Sequence, residues 1–403
     1  MKKAFCTLLI LMSILTATAQ LPGCDGNRYR YNVFEAFDST LNIQYGQNYT
    51  MNQVLQNLKM DIFEPKNDTA TKRPLAVFIH GGGFMWGTRQ ETFSLCMLFA
   101  LKGYVTATCD YRLIDVPLVD SLTVTEGMVQ AVSDAKAAVR FFVEDAATNN
   151  KYRIDTNYIF ISGVSAGGVT ASHVAYLNAS DNIPAYLSAL ISENGGFTGN
   201  SSANTHHTVP IKGVINYSGA LWHKEFISTG EPPLFSVHDS GDLTVPCFHG
   251  LTDAFPFPLY VDGSCAMQQE ANLKGVYNDI FINNSSGHCT YFYYSPLVDT
   301  VMQKSADFLY NLICNYNPTV SVPKNIENEI LIYPNPAREW IDIRLPAQLN
   351  YEVQIHIFNS SGILVKEIEN NLFTQVNISG FPPGLYFVHL KNHPGPSQKF
   401  VKL

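Results

Sequence analysis

Apolar positions along the first three quarters of the chain follow two alternating periods. Leu75 to Ile79 is an unbroken apolar run, the pattern of a strand buried on both faces. Tyr104 to Cys109 is a second short, β-rich run. From Thr125 to Ala147, the apolar positions Met128, Val132, Ala135, Val139 and Phe142 recur at steps of three and four, which predicts one face of an amphipathic helix. Tyr158 to Ile161 is strand-forming and runs into a glycine-rich turn, after which the small residues from Gly167 to Leu177 predict a helix. Further strands are expected near Ile211–Ile215, Leu234–Val237 and Asp279–Ile282. Strand and helix in alternation predict an α/β unit, a mostly parallel sheet with helices on both sides. In such sheets, ligands bind beyond the carboxyl ends of the strands.

The pattern changes near residue 318. Residues 317–328 are polar, contain Pro318 and Pro323, and read as a linker. Beyond them the helical period is gone. Short alternating stretches at Ile330–Tyr333, Trp340–Leu345, Val353–Phe358, Ile363–Ile368, Gln375–Ile378 and Leu385–Leu390 are punctuated by Asn335-Pro336, Ser361-Gly362 and Pro382-Pro383-Gly384. They predict a small all-β sandwich over residues 329–403.

Composition adds the compartment. Lys2 and Lys3 precede an apolar stretch, Ala4 to Leu15, that is too short to span a bilayer, and Ala17-Thr18-Ala19 forms a cleavage site before Gln20. Residues 1–19 are therefore expected to be a secretory signal peptide, with residues 20–316 as the α/β domain. A lipobox-like Leu21-Pro22-Gly23-Cys24 is the weaker rival, because polar residues separate Cys24 from the apolar stretch. No later segment is long and apolar enough to cross a membrane. The formal net charge of −8 provides no basic field and argues against nucleic acid as a partner. Seven cysteines remain once Cys6 leaves with the signal, so at least one thiol is expected free. Cys247 with Cys265 is the favoured disulfide.

The chemistry gathers at strand ends. Gly163-Val164-Ser165-Ala166-Gly167-Gly168 follows a strand and precedes a helix, which is the G-x-S-x-G pattern of a nucleophile elbow. The turn is tight, so small residues must flank Ser165 if its hydroxyl is to stand clear of the sheet. His80-Gly81-Gly82-Gly83 follows another strand, where glycines let backbone N–H groups approach a substrate oxygen. His288, after the strand Asp279–Ile282 and the turn Ser285-Ser286-Gly287, is the expected base. The acid is expected in the loop after Leu234–Val237, with Asp242 preferred because it reaches further around the turn than its rival Asp239.

With these residues in place, residues 74 to 314 resemble an α/β-hydrolase of the carboxylesterase and lipase type. The resemblance rests on His80-Gly81-Gly82-Gly83-Phe84, Asp110-Tyr111-Arg112-Leu113, the elbow around Ser165, the His238…Asp242…Val245-Pro246 block and Gly287-His288. It implies a Ser165–His288–Asp242 triad, with the backbone of Gly82, Gly83 and Ala166 as the oxyanion hole. It assigns no chemical step to Asp110 or Arg112. Phe84, Trp86, Phe255 and Phe257 are candidates to line the substrate pocket. The loops Asn194–Thr208 and Phe248–Tyr260 are expected to shape it. There is no spaced His/Cys/Asp cluster and no dinucleotide glycine motif, so neither metal nor organic cofactor is expected.

The C-terminal segment resembles the sorting domain of the type IX secretion system of Bacteroidetes. The residues that carry this are Ile332-Tyr333-Pro334-Asn335-Pro336, Trp340-Ile341-Asp342-Ile343, Gly362, Pro383-Gly384-Leu385-Tyr386-Phe387-Val388 and the basic end Lys399-Phe400-Val401-Lys402. A carbohydrate-binding or fibronectin-like module is the rival, in which Trp340, Tyr351 and Tyr386 would permit sugar stacking. Together the two resemblances imply a secreted or surface-held serine esterase that depends on the type IX machinery for export. Its substrate would be a small-molecule or polysaccharide-linked ester, with acetyl and feruloyl side-chain esters as examples. A catalytically idle binding protein and a serine peptidase are the alternatives on the same fold.

Overall fold

The computed structural model describes residues 23–253, 259–315, 330–333, 335–345, 353–370, 373–391 and 397–403. The signal segment, the linker and the two candidates Phe255 and Phe257 lie outside the described residues.

In chain order the first unit contains β1 (Phe37–Tyr49), β2 (Leu55–Pro65), β3 (Arg73–Ile79), α1 (Phe93–Ala100), β4 (Val105–Cys109), α2 (Ser121–Ala147), β5 (Ile154–Val164) and α3 (Ala166–Tyr176). These are followed by α4 (Ala185–Glu193), β6 (Ile211–Tyr217), β7 (Ala220–Leu221), β8 (Leu234–Asp239), β9 (His249–Leu251), β10 (Tyr260–Gly263), α5 (Ser264–Leu273), β11 (Asn278–Asn283) and α6 (Ser295–Cys314). One eight-stranded sheet runs in the order β1-β2-β4-β3-β5-β6-β8-β11. The pairs β1–β2 and β2–β4 are antiparallel, and the others are parallel. Strands β7, β10 and β9 form a small separate sheet.

The unbroken apolar run of β3 has the burial it predicts. Leu75, Val77 and Ile79 pack into the core on one side of the sheet, and Ala76 and Phe78 into the core on the other. The hairpin β1–β2 is not legible in the pattern, because β1 is an edge strand whose residues are mostly half-buried or exposed. Helix α2 begins at Ser121, four residues before the expected start. Asp120 caps it by accepting the Thr123 N–H at 2.7 Å.

The chain runs from β3 through α1 to β4 on one side, then crosses back through α2 to β5 on the other. Strand order therefore reverses at β3, and a crevice opens beyond the carboxyl ends of β3 and β5. Ile79 and Gly163 are register partners there, so the glycine turn after β3 and the serine turn after β5 lie side by side.

The segment Asn194–Thr208 was expected at the substrate site, but it lies across α2 and the sheet edge instead. Lys136 Nζ donates to Phe197 O at 2.8 Å, Arg140 Nη1 to Thr198 O at 2.6 Å, and the Gln47 N–H to Ser201 O at 2.9 Å. Those carbonyls satisfy two cations on a helix face that is buried beyond its apolar stripe.

Cys247 is joined to Cys265, as the sequence suggests. A second disulfide joins Cys24 to Cys314 and ties the N-terminal segment to the end of α6. This pairing occupies the sulfur that the lipobox reading of Cys24 would require for a lipid. Cys96, Cys109 and Cys289 are free and buried.

The C-terminal residues form β12 (Leu331–Tyr333), β13 (Trp340–Arg344), β14 (Val353–Asn359), β15 (Leu364–Asn370), β16 (Phe373–Asn377), β17 (Gly384–Leu390) and β18 (Gln398–Lys402). They build two antiparallel sheets, β12-β13-β16 and β15-β14-β17-β18. Ile341 and Ile343 of the first sheet share one core with Ile355, Ile357, Val388 and Phe400 of the second. Tyr386 is part of this core and stacks on Phe400.

Candidate active site

Ser165 stands between β5 and α3 with φ 54° and ψ −119°. A positive φ is costly for a residue with a Cβ and persists only where the surroundings enforce it. Here the Ser165 N–H donates to Tyr217 O at 2.8 Å on the neighbouring strand. The flanking glycines are required by close backbone approach. A Cβ on Gly163 would lie 2.1 Å from Gly167 O, and one on Gly167 would lie 2.1 Å from Ile79 O and 2.5 Å from His80 O. Gly167→Ala is expected to destabilise the first unit by about 3 kcal/mol, because backbone rather than a side chain must give way. A melting temperature equal to that of the wild type would show that the turn is looser than this geometry implies.

Three loops bring Ser165, His288 and Asp242 into one relay. Ser165 Oγ lies 2.8 Å from His288 Nε2, and His288 Nδ1 lies 2.6 Å from Asp242 Oδ2. With Nδ1–H donated to the carboxylate, Nε2 is left to accept the Ser165 hydroxyl proton. Asp242 is buried, and its Oδ1 accepts the Val245 N–H at 3.0 Å, so both oxygens have partners.

Asp239, the rival acid, faces a different group. It accepts the Thr290 N–H at 2.7 Å, the Thr290 hydroxyl at 2.6 Å and the Asn283 amide at 2.5 Å. It therefore braces the loop that carries His288. His238 is buried beside the acid, with Nε2–H donating to Val245 O at 2.8 Å and Nδ1 2.6 Å from the Ser264 hydroxyl. Burial lowers its pKa, and its two hydrogen bonds suit a neutral ring.

Burial alone would lower the His288 pKa. The hydrogen bond that His288 donates to Asp242, with a contribution from the adjacent Cys289, outweighs burial and pushes it up from 6.5 to about 10. The site thus favours the protonated form of His288.

The Gly82 and Gly83 N–H groups donate to no protein acceptor among the described residues. Ala166 is the first residue of α3, where the N–H has no partner within the helix. Gly82 has φ 104°, and a Cβ there would lie 2.0 Å from Trp86 O. The preceding carbonyl is held firmly. The Tyr111 hydroxyl donates to Gly81 O at 3.0 Å, His80 Nδ1 lies 2.7 Å from the same oxygen, and the His80 and Tyr111 rings stack. In a planar peptide, fixing the Gly81 carbonyl aims the Gly82 N–H the opposite way. The Asp-Tyr-Arg element contributes this tyrosine. Its Asp110 and Arg112 are engaged by Arg89 and by the buried Asp134.

Two hollows meet at Ser165. One is small and apolar, about 50 Å³, and includes Gly83, Phe84, Met128, Ala166, Val169, Trp222 and Val261 in its wall. The other is open, about 690 Å³, and includes Gly82, Gly83, Trp86, His288, Phe292 and Tyr293. Phe84 and Trp86 thus belong to different hollows. Thr252 and Leu259 of the expected aromatic loop line the small one. Met128, Trp222 and Tyr293 were not legible as site residues, because nothing in their local sequence distinguishes them from core or surface positions. Two groupings, Glu144–His206–His207 and His223–Glu225–Asp262, have ligand atoms close enough to hold an ion, but neither lines these hollows.

Comparison with known proteins gives the same outline. Residues 60–221 match the family described as BD-FAE, and residues 331–402 match the family described as a secretion system C-terminal sorting domain. A stretch of 118 residues is 30% identical to the non-reducing polyketide synthase atr1 of Stereocaulon alpinum, and 119 residues are 29% identical to human arylacetamide deacetylase-like 2. Each stretch is 29% of this chain, and they span 4% and 28% of those two proteins. Among solved structures, esterase 2 of Thermogutta terrifontis phosphorylated by paraoxon superposes with a TM-score of 0.51 at 19% identity, over 70% of this chain and 97% of that one. At that identity the likeness is one of fold.

Proposed function

For a chain that is an α/β-hydrolase of the carboxylesterase and lipase type with a C-terminal type IX sorting domain, we propose that it cleaves carboxylic esters by way of an acyl-enzyme on Ser165. Ser165 Oγ attacks the ester carbonyl as His288 Nε2 takes its proton. The carbonyl oxygen becomes an oxyanion held by the N–H groups of Gly82, Gly83 and Ala166. Asp242 keeps His288 in the tautomer with a free Nε2 and stabilises the imidazolium. His288 then protonates the leaving alkoxide, and the C–O bond breaks. Water, deprotonated by His288, attacks the acyl-enzyme and releases the acid.

The observation that carries this reading is the unbroken hydrogen-bond relay from Ser165 through His288 to the buried Asp242, which opens onto two hollows. The sorting domain implies export to the cell surface or beyond. That setting supports side-chain esters of polysaccharides, acetyl or feruloyl, as the natural substrates.

The test is hydrolysis of p-nitrophenyl esters by the full chain, together with stoichiometric inactivation by an organophosphate whose adduct maps to Ser165 by mass spectrometry. A folded protein that hydrolyses no ester and takes no label would favour an idle binding protein. Because the His288 pKa is raised, the neutral base increases as pH rises above 6.5. The rate constant kcat/KM is therefore expected to climb through the alkaline range rather than level off near neutrality. A plateau already reached at pH 6.5 would contradict the raised value.

A further inference from the structure

A second cluster of chemistry-bearing side chains lies on the small sheet β7-β10-β9. Asp262 sits in its central strand, paired with Leu221 of β7 on one side and His249 of β9 on the other. Its carboxylate is only 5% exposed. Taking a carboxylate out of water is costly unless a cation or a metal faces it. Among the described residues, no lysine or arginine pairs with Asp262 or with nearby Glu225. Instead, one ligand atom each of His223, Glu225 and Asp262 lies within 4.8 Å of the other two.

The surrounding structure fixes the buried carboxylate. The Lys224 N–H donates to Asp262 Oδ2 at 2.8 Å, which pins the chain between His223 and Glu225 over β10. His249 Nδ1–H donates to Oδ1 at 2.9 Å, and the His249 ring stacks on Tyr260 with the two planes 5° apart. Each oxygen keeps a lone pair for a cation. His223 packs edge-on against the buried Phe226, with ring centroids 5.7 Å apart. His223 and Glu225 are exposed, so their ends have room to close on an ion. Tetrahedral bonds of about 2.1 Å set ligand atoms about 3.4 Å apart.

The donor set selects the ion. One imidazole with two carboxylates suits zinc and ions like it, whereas calcium and magnesium take oxygen ligands. His249 stands where a hydrogen-bond partner orients a ligating carboxylate. The grouping Glu144–His206–His207 is poorer, with one carboxylate that is 41% exposed and two histidines adjacent in the chain.

We propose that His223, Glu225 and Asp262 bind one divalent ion of the zinc class, with His249 positioning Asp262. The ion ties the turn Lys224–Phe226 to β10 and is structural, since none of its ligands lines either hollow at Ser165. It is independent of the acyl-enzyme reading. Sequence spacing hides the site, because its ligands meet only when β7 pairs with β10.

The test is calorimetric titration of the chelator-treated full chain, purified without a histidine tag, with zinc chloride and separately with calcium chloride. One zinc site is expected, with calcium at least about a hundredfold weaker. Zinc at a hundredfold excess over Kd is expected to raise the melting temperature by about 5 °C. His223→Ala and Glu225→Gln, both at exposed positions, are each expected to weaken zinc at least about a hundredfold, and His249→Ala about tenfold. Asp262→Asn should abolish binding, and the two exposed variants decide the matter if it fails to fold. No zinc binding by the folded wild type would overturn the proposal, as would calcium binding as tightly as zinc. So would zinc binding that survives His223→Ala and Glu225→Gln but is lost in Glu144→Gln.

Discussion

Ser165→Ala is expected to lower kcat/KM on p-nitrophenyl acetate at least about a thousandfold with little change in stability. The serine hydroxyl lies 2.8 Å from His288 Nε2, the contact on which the proposed mechanism depends. Alanine keeps the Cβ in the same elbow, so the backbone strain at φ 54° is unaltered. The proposed oxyanion donors also remain, because they belong to the backbone of Gly82, Gly83 and Ala166. Residual hydrolysis is therefore expected to reflect water attacking a bound, polarised ester. Kinetics on purified wild type and variant, with melting curves beside them, check this. Undiminished activity would place the nucleophile elsewhere.

Asp242→Asn is expected to lower kcat by about three to four orders of magnitude, because an amide cannot hold the Nδ1–H tautomer or stabilise the imidazolium. The comparison with Asp239→Asn makes the result specific. Asp239 accepts three donors, from Thr290 and Asn283, and makes no bond to His288. An asparagine there sets an NH2 against one of those donors, at a cost of about 1–3 kcal/mol in stability. A kcat loss well below that of Asp242→Asn should accompany it. In Asp242→Asn the pH limb should also move to lower pH, because burial, which lowers the His288 pKa, then acts with less opposition. Similar losses in both variants, with no shift of the limb, would mean that the two carboxylates share one role.

Much of the site was legible because its signals are local. A tight strand-to-helix turn imposes small residues at 163 and 167, and that steric demand is written as G-x-S-x-G around Ser165. The proposed backbone oxyanion site demands glycines after a strand, as at Gly82 and Gly83. His288 could be found by its place after the last strand of the sheet. The acid was less certain, since Asp239 and Asp242 occupy one turn. Only the direction each carboxylate faces separates them, one toward Thr290 and the other toward His288.

By itself the sequence determined the alternation that makes an α/β sheet followed by a β-sandwich, the elbow and the glycine turn, since each follows from short-range sterics and periodicity. Tertiary structure alone decided the pairing of Cys24 with Cys314, 290 residues apart. It also decided the edge hairpin β1–β2, the bracing role of Asp239 and the anchoring of the Gly81 carbonyl by Tyr111. The two hollows belong to the same class, because Phe84, Met128, Val169, Trp222 and Val261 come from separate stretches of the chain. A cavity is what the packing of such segments leaves unfilled, so no single stretch of sequence records its size.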